Sequence, residues 1–100
     1  MTEKQLVFED FKDRVGSVFT PCGPEIPPIP LTLDEAKPLP AHFGLADVRP
    51  PFSLIFIGAS DLILPQMIYR LRHDEMGEVS IFLVPIGKDQ RGVSYQAVFN

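Results

Sequence analysis

The sequence has no tryptophan, two tyrosines, two histidines and a single cysteine, Cys22. One thiol excludes an internal disulfide, which fits a reducing compartment. His42 and His73 stand far apart with no second His or Cys at ligand spacing, so no metal motif is present. No apolar run approaches the roughly 20 residues that a bilayer-spanning helix requires. The opening Met1-Thr2-Glu3-Lys4-Gln5 lacks the apolar core and small-residue cleavage site of a secretory signal. Cationic charge is scarce: 9 basic against 13 acidic residues give a net charge of −4. That balance argues against nucleic acid, or insertion into an anionic membrane, as the main business of the chain. Arg70 and Arg72 form a local pair rather than a basic stripe. The expected location is the cytoplasm, or a particle assembled there.

What the chain does have is proline and phenylalanine, 11 and 8 residues respectively, within a hydrophobic content of 45%. That content supports a packed core rather than disorder. One hundred residues make one domain, residues 1–100, able to bury roughly two thirds of its unfolded surface.

The last third is organised most clearly. From Met67 to His73, Tyr69, Leu71 and His73 alternate with Ile68, Arg70 and Arg72, the period of a half-buried strand. Asp74-Glu75-Met76-Gly77 breaks the pattern as a turn. The run from Glu78 to Ile86 is apolar on both faces from Ile81 to Val84, predicting a strand covered on both sides or a barrel wall touched by a neighbour. Pro85 cannot donate to a ladder and predicts weakened pairing or a bulge. After the polar loop Gly87 to Gly92, alternation resumes from Val93 to Asn100. The chain stops inside this strand, so the strand is expected to be a fixed part of the sheet.

Upstream, Phe8, Phe11 and Val15 form one apolar stripe in Leu6 to Gly16, predicting a helix of about two turns that plugs one end of the sheet. Gly16 is placed to terminate it. Ser17 to Cys22 reads as a short strand. Four of the eight residues from Gly23 to Pro30 are proline, so this segment is an extended loop and also a possible peptide ligand for an aromatic groove. Leu31 to Leu39 reads either as a capped helix or as a strand with Leu31, Leu33 and Glu35 on one face; Pro38 favours the strand. Pro40 to Pro51 is irregular, Phe52 to Gly58 is a strand, and Ala59 to Pro65 is a loop carrying Leu62-Ile63-Leu64. The fold class expected is mainly β: a small antiparallel barrel or sandwich of about six strands with one short N-terminal helix.

Candidate chemistry is thin. His73 beside Asp74 and Glu75 suggests acid–base or metal work, but the plainer reading is a strand end leading into a solvated turn. His42, Asp47 and Asp61 would matter only if the fold brought them to His73. Cys22, between Pro21 and Gly23-Pro24, has no adjacent base to activate it. Ser53 and Ser60-Asp61 lack a nucleophile elbow. Gly58-Ala59-Ser60 lacks the further glycine and lysine of a phosphate loop. No catalytic, cofactor-binding or metal-binding residue is expected.

Phe52-Ser53-Leu54, Leu64-Pro65-Gln66, Tyr69, His73, Gly77, Phe82-Leu83-Val84-Pro85 and the ending Tyr95-Gln96-Ala97-Val98-Phe99-Asn100 resemble a family of small bacterial proteins catalogued as a domain of unknown function. Phe8-Glu9-Asp10-Phe11, Val15-Gly16 and Phe19 resemble that family's opening. The resemblance implies no activity. It implies an accessory role in assembly, alongside phage-tail-like collar or fibre proteins.

The expectation is therefore a non-enzymatic protein-interaction or assembly module, acting on a protein partner or by self-association. Its candidate binding residues are apolar groups in predicted loops: Ile26, Ile29, Phe43, Leu45, Leu62, Ile63 and Leu64. The alternative is a small-molecule-binding β-barrel, including one with hydrolytic activity, although six strands leave little lumen.

Overall fold

Tyr69, Leu71 and His73 alternate with Arg70 and Arg72 in sequence, and in three dimensions that alternation becomes the two faces of a strand. In a computed structural model describing residues 5–40, 50–59 and 61–99, the first three are buried and the two arginines are exposed. The elements are α1 (Glu9–Lys12), β1 (Val18–Cys22), β2 (Leu31–Pro38), β3 (Phe52–Gly58), β4 (Met67–His73), β5 (Gly77–Asp89) and β6 (Gly92–Phe99). The strands close into an antiparallel barrel in the order β1-β2-β3-β6-β5-β4, so of the barrel and sandwich alternatives the structure is the barrel.

Two local features let so short a sheet close. Asp34 is an extra residue between Leu33, opposite Phe56, and Glu35, opposite Ile55. This bulge moves Glu35 to the outer face, where it is exposed; the expected sharing of a face with Leu31 and Leu33 does not survive it, because a bulge shifts the pleat by one residue. On β5 the register slips between Pro85 and Gly87, at the residue that has no N–H to pair. β1 itself is divided. Val18 and Phe19 pair with β2, whereas Thr20, Pro21 and Cys22 pair with β4.

The interior is filled by side chains. Phe19, Leu31, Leu33, Phe52, Leu54, Phe56, Leu71, Leu83 and Tyr95 are all at most 1% exposed. Burying each such apolar side chain stabilises the fold by about 1.5–3 kcal/mol. At one mouth Phe11 of α1 packs among Phe19, Phe52 and Phe99 with ring centroids 5.9–6.2 Å apart. Phe52 and Phe99 stack directly, 4.4 Å apart. The expected plug is therefore present, but α1 is one turn rather than two. Phe8 at its N-cap gives no side-chain cap. After Lys12 the chain turns back onto β2, with Gly16 N–H donating to the Leu33 carbonyl at 2.7 Å. Gly16 does adopt positive φ, 96°, but it serves this turn.

The other mouth is closed by the β3–β4 connection. β3 and β4 are not neighbours in the barrel, so the chain between them must cross the mouth. Leu64 lies on that crossing and is 2% exposed. Its N–H donates to the Tyr95 hydroxyl at 2.9 Å, and the Tyr69 hydroxyl donates to the Pro65 carbonyl.

Candidate interaction surface

A strand's outward residues are set by its pleat, and here several of them are apolar. On β4 and β5, Ile68 stands opposite Phe82; they are 64% and 47% exposed. Val84 stands opposite Gln96 on β6. The β5–β6 ladder begins there and runs to Asp89 opposite Gly92; Val98 near the end of β6 is also exposed. Ile68 and Phe82 thus form an outward cross-strand pair on β4 and β5, with exposed Met67 beside Ile68 and exposed Ile86 further along β5. The apolar run Ile81 to Val84 is consequently covered on one side only: Ile81 and Leu83 enter the core while Phe82 faces out.

Further along the same two strands the outer face is charged. Arg72 donates to Glu78 at 2.7 Å, and Arg70 lies 3.6 Å from the same carboxylate. The Arg72 hydrogen bond holds the Glu78 carboxyl below its usual range, against a smaller opposing effect of burial, with the charges of Arg72 and Arg70 assisting. Ser80 is the cross-strand partner of Arg70.

The residues singled out from sequence fall into three groups. Leu62 and Ile63 are exposed, at 44% and 53%, beside the mouth that Leu64 closes. Leu64 is not part of a surface patch, because the crossing connection drives it into the barrel; it belongs to the core. Ile26 and Ile29 are partly buried and pack against that core, while Pro24, Pro27, Pro28 and Pro30 of the same loop face outward. Phe43 and Leu45, like His42, Asp47 and Ser60, lie outside the described residues. The flanks of the 41–49 segment are at the α1 mouth, where Pro38 pairs with Phe52, away from the loops that carry Ile26 and Leu62.

These exposed apolar groups lie on strands rather than in the loops singled out from sequence. Their signal in the sequence is an apolar residue at an outward position of an alternating strand: Ile68, Phe82 and Val98.

His73 ends β4, as expected, and Asp74 and Glu75 of the turn that follows are exposed, but the imidazole itself is buried. It is 6% exposed and its ring lies 4.5 Å from that of Phe19. Its Nδ1 accepts from the backbone N–H of Glu75 at 3.0 Å and of Met76 at 3.3 Å, so the imidazole ties the β4–β5 turn together. The ring lines a recess of about 510 Å³ shared with Asp13, Arg14, Asp74 and Glu75. Arg14 Nε sits 3.3 Å from Glu75 Oε1, yet off the direction of a hydrogen bond; proximity without alignment makes this a weak ion pair. Among the described residues, no group of three or more His, Cys, Asp or Glu is placed to hold a metal ion. Cys22 is half-buried with its thiol 3.4 Å from the Arg70 carbonyl. No described helix is long and apolar enough to cross a membrane.

A second recess, about 290 Å³, opens on the outer side of β4. It is lined by Cys22 to Pro24 and Ile26 from the end of β1 and the loop after it, by Met67 to Arg70 of β4, and by Ser80 of β5.

The fold and surface define a class: a filled, six-stranded antiparallel barrel whose distinctive features are on its outside. The chain belongs to the family of the domain of unknown function DUF6916, whose model matches residues 6–99. No curated protein matches the chain, and neither does any solved structure.

Proposed function

We propose that the protein is a non-enzymatic protein-interaction or assembly module. One observation carries this reading: the barrel interior is occupied by its own side chains, while Ile68, Phe82 and Val98, with Met67 and Ile86, are left on the outside. Exposing these side chains on a monomer costs solvation free energy that a partner would recover, and paired exposed apolar groups such as Ile68 and Phe82 are what an interaction site offers. The setting proposed is an accessory role in a phage-tail-like or fibre-forming bacterial system. For the alternative, a small-molecule-binding barrel, a ligand would have to find room beside Phe19, Leu54, Phe56 and Tyr95, which are buried in the barrel's interior.

Size-exclusion chromatography with light scattering, on the protein alone and mixed with phage-tail-like collar or fibre proteins, tests the reading. The expected result is a self-associated species or a defined complex. A strict monomer that joins none of them overturns it.

A further inference from the structure

The recess on β4 exists because the chain leaves the sheet there. β1 pairs with β4 as far as Cys22 opposite Arg70. Gly23 then takes a φ of 129°, and Pro24, which has no N–H, cannot continue the ladder. β4 runs on to Met67 without β1 beside it, paired on its other flank with β5. The departing loop and β4 line the groove together.

The lining has two ends of different character. Ile26, Met67, Ile68 and Pro24 are apolar, whereas Arg70 and Ser80 are polar and stand opposite one another on adjacent strands. Among the described residues, Arg70 is the one charged group in the lining; Glu25, between Pro24 and Ile26, and Glu78 lie outside it. Glu78 is shared by two guanidiniums and lies nearer Arg72, at 2.7 Å, than Arg70, at 3.6 Å, so Arg70 is the less engaged of the two. The charge that the lining presents is positive, and the charge it would take is negative.

Resting on the interaction-module reading, we propose that this groove docks a short apolar segment of a partner protein that carries a carboxylate, its apolar side chains against Ile68, Met67 and Pro24 and its carboxylate on Arg70. The volume is at the lower end of ligand clefts, which begin at about 300 Å³, and suits a few side chains. Phe82, the exposed cross-strand partner of Ile68, continues the apolar surface beyond the groove. A protein segment can lie along such a surface, whereas an enclosed pocket would be needed to shield a free fatty acid.

The same geometry assigns Glu78 an opposing role. It competes for Arg70, so removing its charge should strengthen docking, whereas reversing Arg70 should weaken it. Arg70 and Glu78 are exposed ends of an ion-pair network, and surface pairs of this kind contribute little to stability, so both variants are expected to fold.

The test is selection of heptapeptides from a displayed random library on the full chain, followed by fluorescence anisotropy with one selected peptide. Selected sequences should combine apolar residues with Asp or Glu. Relative to the natural protein, Arg70→Glu should weaken binding by about tenfold or more, Ile68→Ser should weaken it, and Glu78→Gln should tighten it, with affinity falling as salt rises. Amide shift changes in NMR should centre on 22–26 and 67–70. Selected peptides without carboxylates, or indifference to Arg70→Glu, overturns the groove assignment. Shift changes centred elsewhere overturn the groove but leave the interaction module standing, as would a second copy of the chain occupying the surface. Displacement of the peptide by decanoate at equal affinity would show a small-amphiphile site instead and overturn the proposal. Failure to select any peptide, with a monomer that joins no protein, overturns both readings.

Discussion

Gly92 and Gly77 both hold positive φ, 134° and 73°, but for different reasons. A Cβ on Gly92 would fall 1.9 Å from the Gly58 carbonyl oxygen, while one on Gly77 would meet nothing within 4 Å. Gly92→Ala therefore combines backbone strain with a collision against main chain and should cost about 3 kcal/mol or more. Gly77→Ala carries the backbone term alone, roughly 1–2 kcal/mol. Urea unfolding of the two variants checks the contrast; equal losses would refute it. Tyr69 supplies a second prediction at this scale. Burial pushes its phenol above the ordinary 10.0, and Tyr95 adds to the rise. Because the folded state favours the protonated form, the stability Tyr69 contributes is complete below pH 10.0 and is lost as pH climbs through the higher folded value. Tyrosinate absorbance during alkaline titration should show a late component that Tyr69→Phe removes. A wild-type curve with no such component would contradict the burial argument.

At the scale of elements, the β3–β4 connection is the part whose role is most specific to this topology. Leu64→Ala should cost about 2–5 kcal/mol, as for other buried leucines. Tyr95→Phe should cost about 1–3 kcal/mol, because the Leu64 N–H would lose its acceptor in a dry site. Since both act on one plug, their effects should be less than additive; chemical denaturation of the two single variants and the double variant measures this. Additive losses would mean that the tyrosine and the leucine act independently. The strands themselves were legible from alternation, and Pro85 pointed to the bulge that occurs beside it. Leu64 was not legible, since Leu62, Ile63 and Leu64 are equally apolar in sequence and only the crossing separates the buried one from its exposed neighbours. The helix was legible in its stripe but not in its length. Phe11 alone of that stripe enters the core fully, while Val15 is left 49% exposed once the chain turns towards β2.

At the scale of the molecule, the filled barrel separates stability from interaction. Ile68 and Phe82 face away from the core, so Ile68→Ser with Phe82→Ser should change unfolding free energy by about 0.5 kcal/mol or less per site. The same pair should abolish the self-association or complex formation that the proposed function requires. Thermal melting together with light scattering distinguishes this outcome from general unfolding. Of the candidate surface, the apolar loop residues Leu62 and Ile63 were legible in sequence. The pair of Ile68 on β4 and Phe82 on β5 was not, because the two are more than a dozen residues apart along the chain and meet only through register.

The order of apolar and polar residues alone determined that this chain forms half-buried strands, where most of them begin and end, and that Phe11 and its neighbours pack a mouth of the sheet. Those are local matters, governed by side-chain period and by the backbone limits of proline and glycine. Which strands become neighbours, which leucine fills the barrel and which arginine lines the recess on β4 were decided by closure of the sheet. Closure brings together groups with no sequence relation, through backbone hydrogen bonding that is the same for every residue and therefore leaves little trace in the letters.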